Sequence, residues 1–136
     1  MITDHLGRWR GESALELKIG MSKTIKLVVD ASNTAAIYGN DLPKVFSTPD
    51  MIAAMETASY QCILPALPEG KFSVGTHVNV SHDLAVKIGT EVMVTATVTE
   101  IDRRRVEFRV VATSPEGQVG AGTHTRFIVN IDSFAR

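Results

Sequence analysis

The stretch Val45–Leu67, VFSTPDMIAAMETASYQCILPAL, carries the longest helical period in the chain and decides its fold. Met51, Ile52, Met55, Ala58, Ser59, Cys62 and Ile63 recur at helical spacing and draw one largely apolar stripe along a helix of about four turns. Thr48 fits the N-cap, Pro49 the first helical position, and Asp50 places negative charge in the first turn. Pro65 and Pro68 close the helix. Glu56 lies one turn beyond Ile52, about a quarter turn from the stripe's centre, which sets a carboxylate at the rim of a core. Taken by itself, that position reads as a partly exposed helix glutamate.

Around this helix the composition describes one domain. The chain has 136 residues, 44% hydrophobic and 21% charged, enough for a single globular core. Residues 1–12, MITDHLGRWRGE, have no clean period and are expected to form a flexible or peripherally docked extension, leaving 13–136 as the domain. A formal net charge of -1, with Arg103, Arg104 and Arg105 as the only basic cluster, offers no field for nucleic acid. No apolar run approaches the roughly 18 residues that span a bilayer, and the N-terminus lacks a signal-like apolar stretch. A cytoplasmic protein with no membrane partner is therefore expected. The single cysteine, Cys62, excludes an internal disulfide and falls in the helix stripe as a small buried thiol.

Before the helix, Ser22–Val29 alternates as a strand, and Asp30–Tyr38 reads as a short helix stopped by Gly39 and Asn40. After it, Phe72–Leu84 reads as a strand with Thr76, Val78, Val80, His82 and Leu84 on one face and His77, Asn79, Ser81 and Asp83 on the other. Glu91–Ile101 follows, with Val92, Val94, Ala96 and Val98 on its inner face. Asp102–Arg105 reverses the chain into a strand whose inner face is Val106, Phe108, Val110 and Ala112. The turn SPEG at 114–117 then leads into a long last strand, Gln118–Ile131. That strand separates Phe127, Val129 and Ile131 from His124 and Arg126, with Gly120 and Gly122 on the latter face. The order predicts an α+β domain, one helix covering one antiparallel sheet, with its four last strands as successive neighbours. Its free sheet edges make a homodimer a natural completion.

Four features supply chemistry. Thr48 offers a hydroxyl at the helix start, Glu56 a carboxylate, the turn Val74–Gly75–Thr76 exposed backbone amides, and His82 an imidazole on the inner face. Together they are the ingredients for hydrolysing an activated acyl group. No GxSxG, CxxC, HExxH or Walker motif is present. His77, His82 and His124 match no familiar ligand spacing, and His77 points away from His82, so no metal site is expected.

LKIGM at 17–21, VFSTPDMIAAME at 45–56, VGTHVNVSH at 74–82 and GAGTHTRFIV at 120–129 resemble the fluoroacetyl-CoA thioesterase-like branch of hotdog-fold proteins, over about 17–134. The resemblance implies a long helix wrapped by a curved antiparallel sheet, a homodimer, and acyl-CoA sites near the subunit interface. It places the catalytic threonine, glutamate and histidine at Thr48, Glu56 and His82, the active-site glycine at Gly75, and the arginine of the last strand at Arg126. The implied reaction is hydrolysis of a small acyl-CoA to the free acid and coenzyme A. Glu56 would act as general base or nucleophile, His82 would move a proton or stabilise charge, and Thr48 would hold the carboxylate or acyl group. The amides around Gly75 and Thr76 would receive the oxyanion, and Arg126 would orient these groups or meet a phosphate of coenzyme A. No metal or redox cofactor is required. One departure stands out: Tyr38–Lys44, YGNDLPK, lacks the phenylalanines that cover the fluorinated acyl group in the fluoroacetate-resistance enzyme, so fluoroacetyl selectivity is not implied. Two alternatives are a non-catalytic hotdog module that binds an acyl-CoA, and an enoyl-CoA hydratase-like enzyme using Asp83 beside His82.

Overall fold

The structure, a computed structural model, describes residues 16–134 in full and, before them, the backbone of two paired strands, β1 (Ile2–Thr3) and β2 (Trp9–Arg10). The expectation for residues 1–12 otherwise lies outside the described residues.

Five strands form the main sheet: β3 (Ser22–Val28), β4 (Lys71–His82), β5 (Glu91–Asp102), β6 (Arg105–Ser114) and β7 (Gly117–Asn130). All neighbours are antiparallel, in the order β3-β5-β6-β7-β4, and helix α1 (Thr48–Ile63) touches every one of them. This is the hotdog arrangement, a central helix lying in a curled sheet.

The alternating residues behave as the sequence requires. Val92, Val94, Ala96 and Val98 of β5 and Val106, Phe108, Val110 and Ala112 of β6 are buried, and α1 lays Met51, Ala54, Met55, Ala58, Ser59, Cys62 and Ile63 against them. Burying a side chain the size of Met51, Met55 or Ile63 contributes roughly 1.5–3 kcal/mol. A cap contributes about 1 kcal/mol, so packing sets where the helix lies.

Three expectations are corrected. Thr48 is not the N-cap: Ser47 is, its hydroxyl accepting from Asp50 N at 3.1 Å, and Thr48 becomes the first helical residue. Asp30–Tyr38 is not one helix but two 3-10 turns, Ala31–Asn33 and Ala35–Ile37, because Thr34 between them is extended and bridges to Phe46. The last four strands are not successive neighbours either, since β4 pairs with β7 at the far edge and leaves β5 to β3 and β6. The connection between β4 and β5 cannot be a simple hairpin because it is tied to the approach to α1. Phe46 N donates to Val86 O at 2.8 Å, Val45 bridges to Lys87, and Val86 is buried.

Candidate active site

The floor of the site is a ladder of inward-facing rungs. Ala112, Gly120 and His82 lie side by side on β6, β7 and β4; then come Val110, Gly122 and Val80; then Phe108, His124 and Val78; and finally Val106, Arg126 and Gly75. Directly paired residues share a face, so the candidate groups on β4 and β7 all look toward α1. On β7 the polar face is the inner one: His124 is 1% exposed and Arg126 8%, while Phe127 and Val129 on the apolar face are only half-buried.

A bulge between Gly75 and His77 makes this possible. Strict alternation puts Thr76 on the face of His82, but the extra residue shifts the phase and brings Gly75 inward instead. Thr76 is left in the bulge, its hydroxyl donating at 3.4 Å to Thr125 O, so the expected Val74–Gly75–Thr76 turn is a kink inside a continuous strand.

At the first rung, Thr48 Oγ1 lies 2.7 Å from His82 Nδ1. Loss of the capping role is what frees that hydroxyl, because Ser47 satisfies the helix terminus. The other ring nitrogen, His82 Nε2, is buried and has no hydrogen-bond partner among the described residues. The ring packs edge-on to Phe46 at 6.2 Å. Ala35, Val45, Phe46 and Leu84, with the polar Ser47 and Asp83, join the pair in lining a mixed groove of about 260 Å³.

At the last rung the Glu56 carboxylate reaches the sheet, with Oε1 3.7 Å from Arg126 Nη1. It fits only because residue 75 is glycine: a Cβ there would lie 2.6 Å from Glu56 Oε1 and 3.0 Å from His124 Cε1. Arg126 is anchored beneath it, Nε donating to Ser73 Oγ at 2.8 Å, Nη2 to Ser73 O at 3.0 Å and Nη1 to His124 Nε2 at 3.2 Å. Burial pushes the Arg126 guanidinium below its usual value, with Glu56 and Tyr60 opposing. Burial also holds the His124 imidazole below its usual value. Ser73 and His124 were not among the sequence candidates, although alternation already set His124 beside Arg126.

The candidates thus form two groups rather than one. Thr48 pairs with His82, and Glu56 meets Gly75 and Arg126, but Glu56 and His82 share no hydrogen bond or ion pair. Six residues of β7, about 20 Å of strand, separate their rungs, and eight residues of α1, about 12 Å of helix, separate Thr48 from Glu56. Among the described residues no three His, Cys, Asp or Glu side chains gather as a metal site.

The hotdog domain, with a carboxylate over a buried arginine towards one end of β4 and a histidine–hydroxyl pair at the other, belongs with the thioester hydrolases of that fold, as its relatives show. Comparison with known proteins makes the assignment narrower. Residues 29–132 match the family model described as fluoroacetyl-CoA-specific thioesterase, and the chain belongs to that family. The fluoroacetyl-CoA thioesterase of Streptantibioticus cattleyicolor is 35% identical over 94 residues, 69% of this chain and 68% of that protein. A solved structure of a fluoroacetyl-CoA thioesterase superposes with a TM-score of 0.82 at 31% identity, covering 87% of this chain and 92% of that one. A thioesterase superfamily member from Thermus thermophilus superposes with a TM-score of 0.78 at 27% identity, covering 90% and 88%. The non-catalytic and hydratase alternatives find no favour in these relatives. Among the described residues no helix is long and apolar enough to cross a membrane.

Proposed function

We propose that this thioesterase hydrolyses small acyl-CoA thioesters to the free acid and coenzyme A, and that it works as a homodimer whose sites combine Glu56, Gly75 and Arg126 of one protomer with Thr48 and His82 of the partner subunit. The observation that carries the reading is the placement of the two groups at opposite ends of one edge strand. Among the described residues β4 has no neighbour beyond it in the sheet, and its middle, Gly75–Asn79, is exposed, including Val78 at 40%. A second copy adding its own β4 antiparallel about a dyad at Asn79 would, with Thr76 left in the bulge, set Gly75 opposite His82 of the partner subunit. Each dimer would then hold two complete sites.

In that site Glu56 either attacks the thioester carbonyl, forming an anhydride that water then hydrolyses, or takes the proton of an attacking water. In both cases the C–S bond breaks and the thiolate takes up a proton to leave as coenzyme A thiol. Arg126 holds the carboxylate, His82 supplies a proton donor or acceptor held by Thr48, and backbone amides at the bulge face the oxyanion. The groove beside His82 is modest in volume, about 260 Å³, and this supports a small acyl group rather than a long chain. No metal or redox cofactor enters these steps. A cytoplasmic location belongs to the same reading.

The test is thiol release over a panel of acetyl-, branched, aromatic and long-chain acyl-CoAs. Hydrolysis strongest for the short chains supports the proposal; turnover confined to long chains, or none, overturns it.

A further inference from the structure

The His124 imidazole takes no part in the chemistry above, yet it is 1% exposed and has a hydrogen bond at each ring nitrogen. Nδ1 lies 2.7 Å from His77 O, and since a carbonyl oxygen only accepts, Nδ1 carries the proton. In a neutral ring Nε2 is then a bare acceptor. It receives Arg126 Nη1 at 3.2 Å, and a guanidinium only donates. The two partners therefore fix both tautomer and charge, and an imidazolium would aim an N–H at a cation.

Nη1 is also the arginine atom facing Glu56, at 3.7 Å, whereas Nε and Nη2 are spent on Ser73. His77 borders the bulge that brings Gly75 inward. The ring is braced from below by Phe108, centroids 6.2 Å apart and 28° between planes. We infer that His124 is a positioning residue, resting on the catalytic use of Glu56 proposed above: as a neutral ring it ties the Arg126 guanidinium to the Gly75–His77 bulge and so fixes where the Glu56 carboxylate stands.

The same geometry makes the tie sensitive to acid. The charged and titratable groups around His124 are Arg126 on its own strand and Glu56 on α1, with Tyr60 of α1 acting on Arg126; β4 presents the His77 carbonyl and Ser73, and β6 presents Phe108. Protonation removes the acceptor that Arg126 uses and sets a second positive charge against it. Glu56 then loses its held position. Burial, the largest influence on the ring, opposes protonation and keeps the tie intact through neutral pH.

The experiment compares His124→Leu, which removes both hydrogen bonds, with His124→Gln, whose amide oxygen can accept from Arg126 without titrating. With folding confirmed by thermal melting, His124→Leu is expected to lower kcat by roughly ten- to a hundredfold, the scale of a small misplacement of a reacting group, with KM little changed. His124→Gln should recover most of kcat and lose the part of the acid limb that the ring contributes. Two NMR readouts need no turnover: the wild-type ring should show a protonated Nδ1 and a bare Nε2 at neutral pH, and the Glu56 carboxyl carbon should shift in the leucine variant and stay in place in the glutamine variant. A folded leucine variant with unchanged kcat, or a ring protonated at Nε2, overturns the inference. If the wild type releases no thiol from any acyl-CoA, the proposed activity fails, while the NMR pattern still decides whether His124 fixes Arg126 and Glu56.

Discussion

Glu56 Oε1 stands where a side chain at position 75 would begin: a Cβ on Gly75 would fall 2.6 Å from it. The hard collision is with the end of a flexible side chain that is 42% exposed, and His124 Cε1 at 3.0 Å needs to yield only slightly, so an added methyl group would displace the carboxylate rather than break the fold. Gly75→Ala is accordingly expected to leave the melting temperature nearly unchanged and to reduce kcat by about a hundredfold, since catalysis tolerates misplacement far less than packing does. Equal, modest losses of stability and activity would mean that the carboxylate position is not what the glycine protects.

Glu56→Gln tests the carboxylate itself. Glutamine keeps helix propensity and volume and can still meet Arg126 through its amide oxygen, but it has lost the charge that attacks or activates water. Thiol release should fall by about a hundredfold or more with the fold retained. A variant that turns over near the wild-type rate across pH would leave Glu56 as a rim glutamate.

The composite site makes a sharper demand. Glu56→Gln and His82→Ala should each be nearly inactive alone, yet a dimer with one substitution in each protomer would keep one site wholly intact. Random mixing should restore about a quarter of wild-type activity, because half of the dimers are mixed and half of their sites are whole. No recovery on mixing, with exchange verified by native mass spectrometry, would place all catalytic groups in one protomer.

The elements that faced the core in a regular period were legible in advance: the α1 stripe, Val92 to Val98 and Val106 to Ala112 needed only alternation and helical spacing. The irregular features were not. One extra residue at the bulge reversed the phase of β4, exchanging Thr76 for Gly75 on the inner face, and period-two reasoning has no means to see an insertion. A capping hydroxyl one residue upstream left Thr48 free for His82, a choice between Ser47 and Thr48 that propensity cannot settle. Burial of His124 and Arg126 on β7 ran against hydropathy, because the inner face of that strand serves a polar network.

His124 also bears on stability. Its folded-state value is held below the ordinary 6.5, chiefly by burial, so the unfolded chain binds the proton more readily. The contribution is fully present above pH 6.5 and is lost as pH falls from there toward the lowered folded value. Urea denaturation should give a lower midpoint at pH 5 than at pH 7.5, and His124→Gln should flatten that difference. An unaltered difference in the variant would assign the pH dependence to other groups.

The final prediction concerns fluorine. Acetyl and fluoroacetyl groups differ by one small atom, and apolar pockets discriminate such pairs weakly unless a dedicated contact reads the difference. In this chain the segment where a lid would stand, Tyr38–Lys44, has no phenylalanine. Its one aromatic ring is committed elsewhere: Tyr38 is 56% exposed and its hydroxyl donates to Asp50 Oδ2 at 3.2 Å, at the start of α1. The neighbouring Ile37 and Leu42 are likewise exposed, at 52% and 45%, rather than closed over the groove beside Thr48 and His82. The ratio of kcat/KM for fluoroacetyl-CoA over acetyl-CoA is therefore expected to stay within about tenfold, the range that intrinsic reactivity and a single apolar contact supply. A preference of a thousandfold or more would require a fluorine-reading contact, and Tyr38→Phe and Tyr38→Ala would then show whether this segment closes on the substrate to provide it.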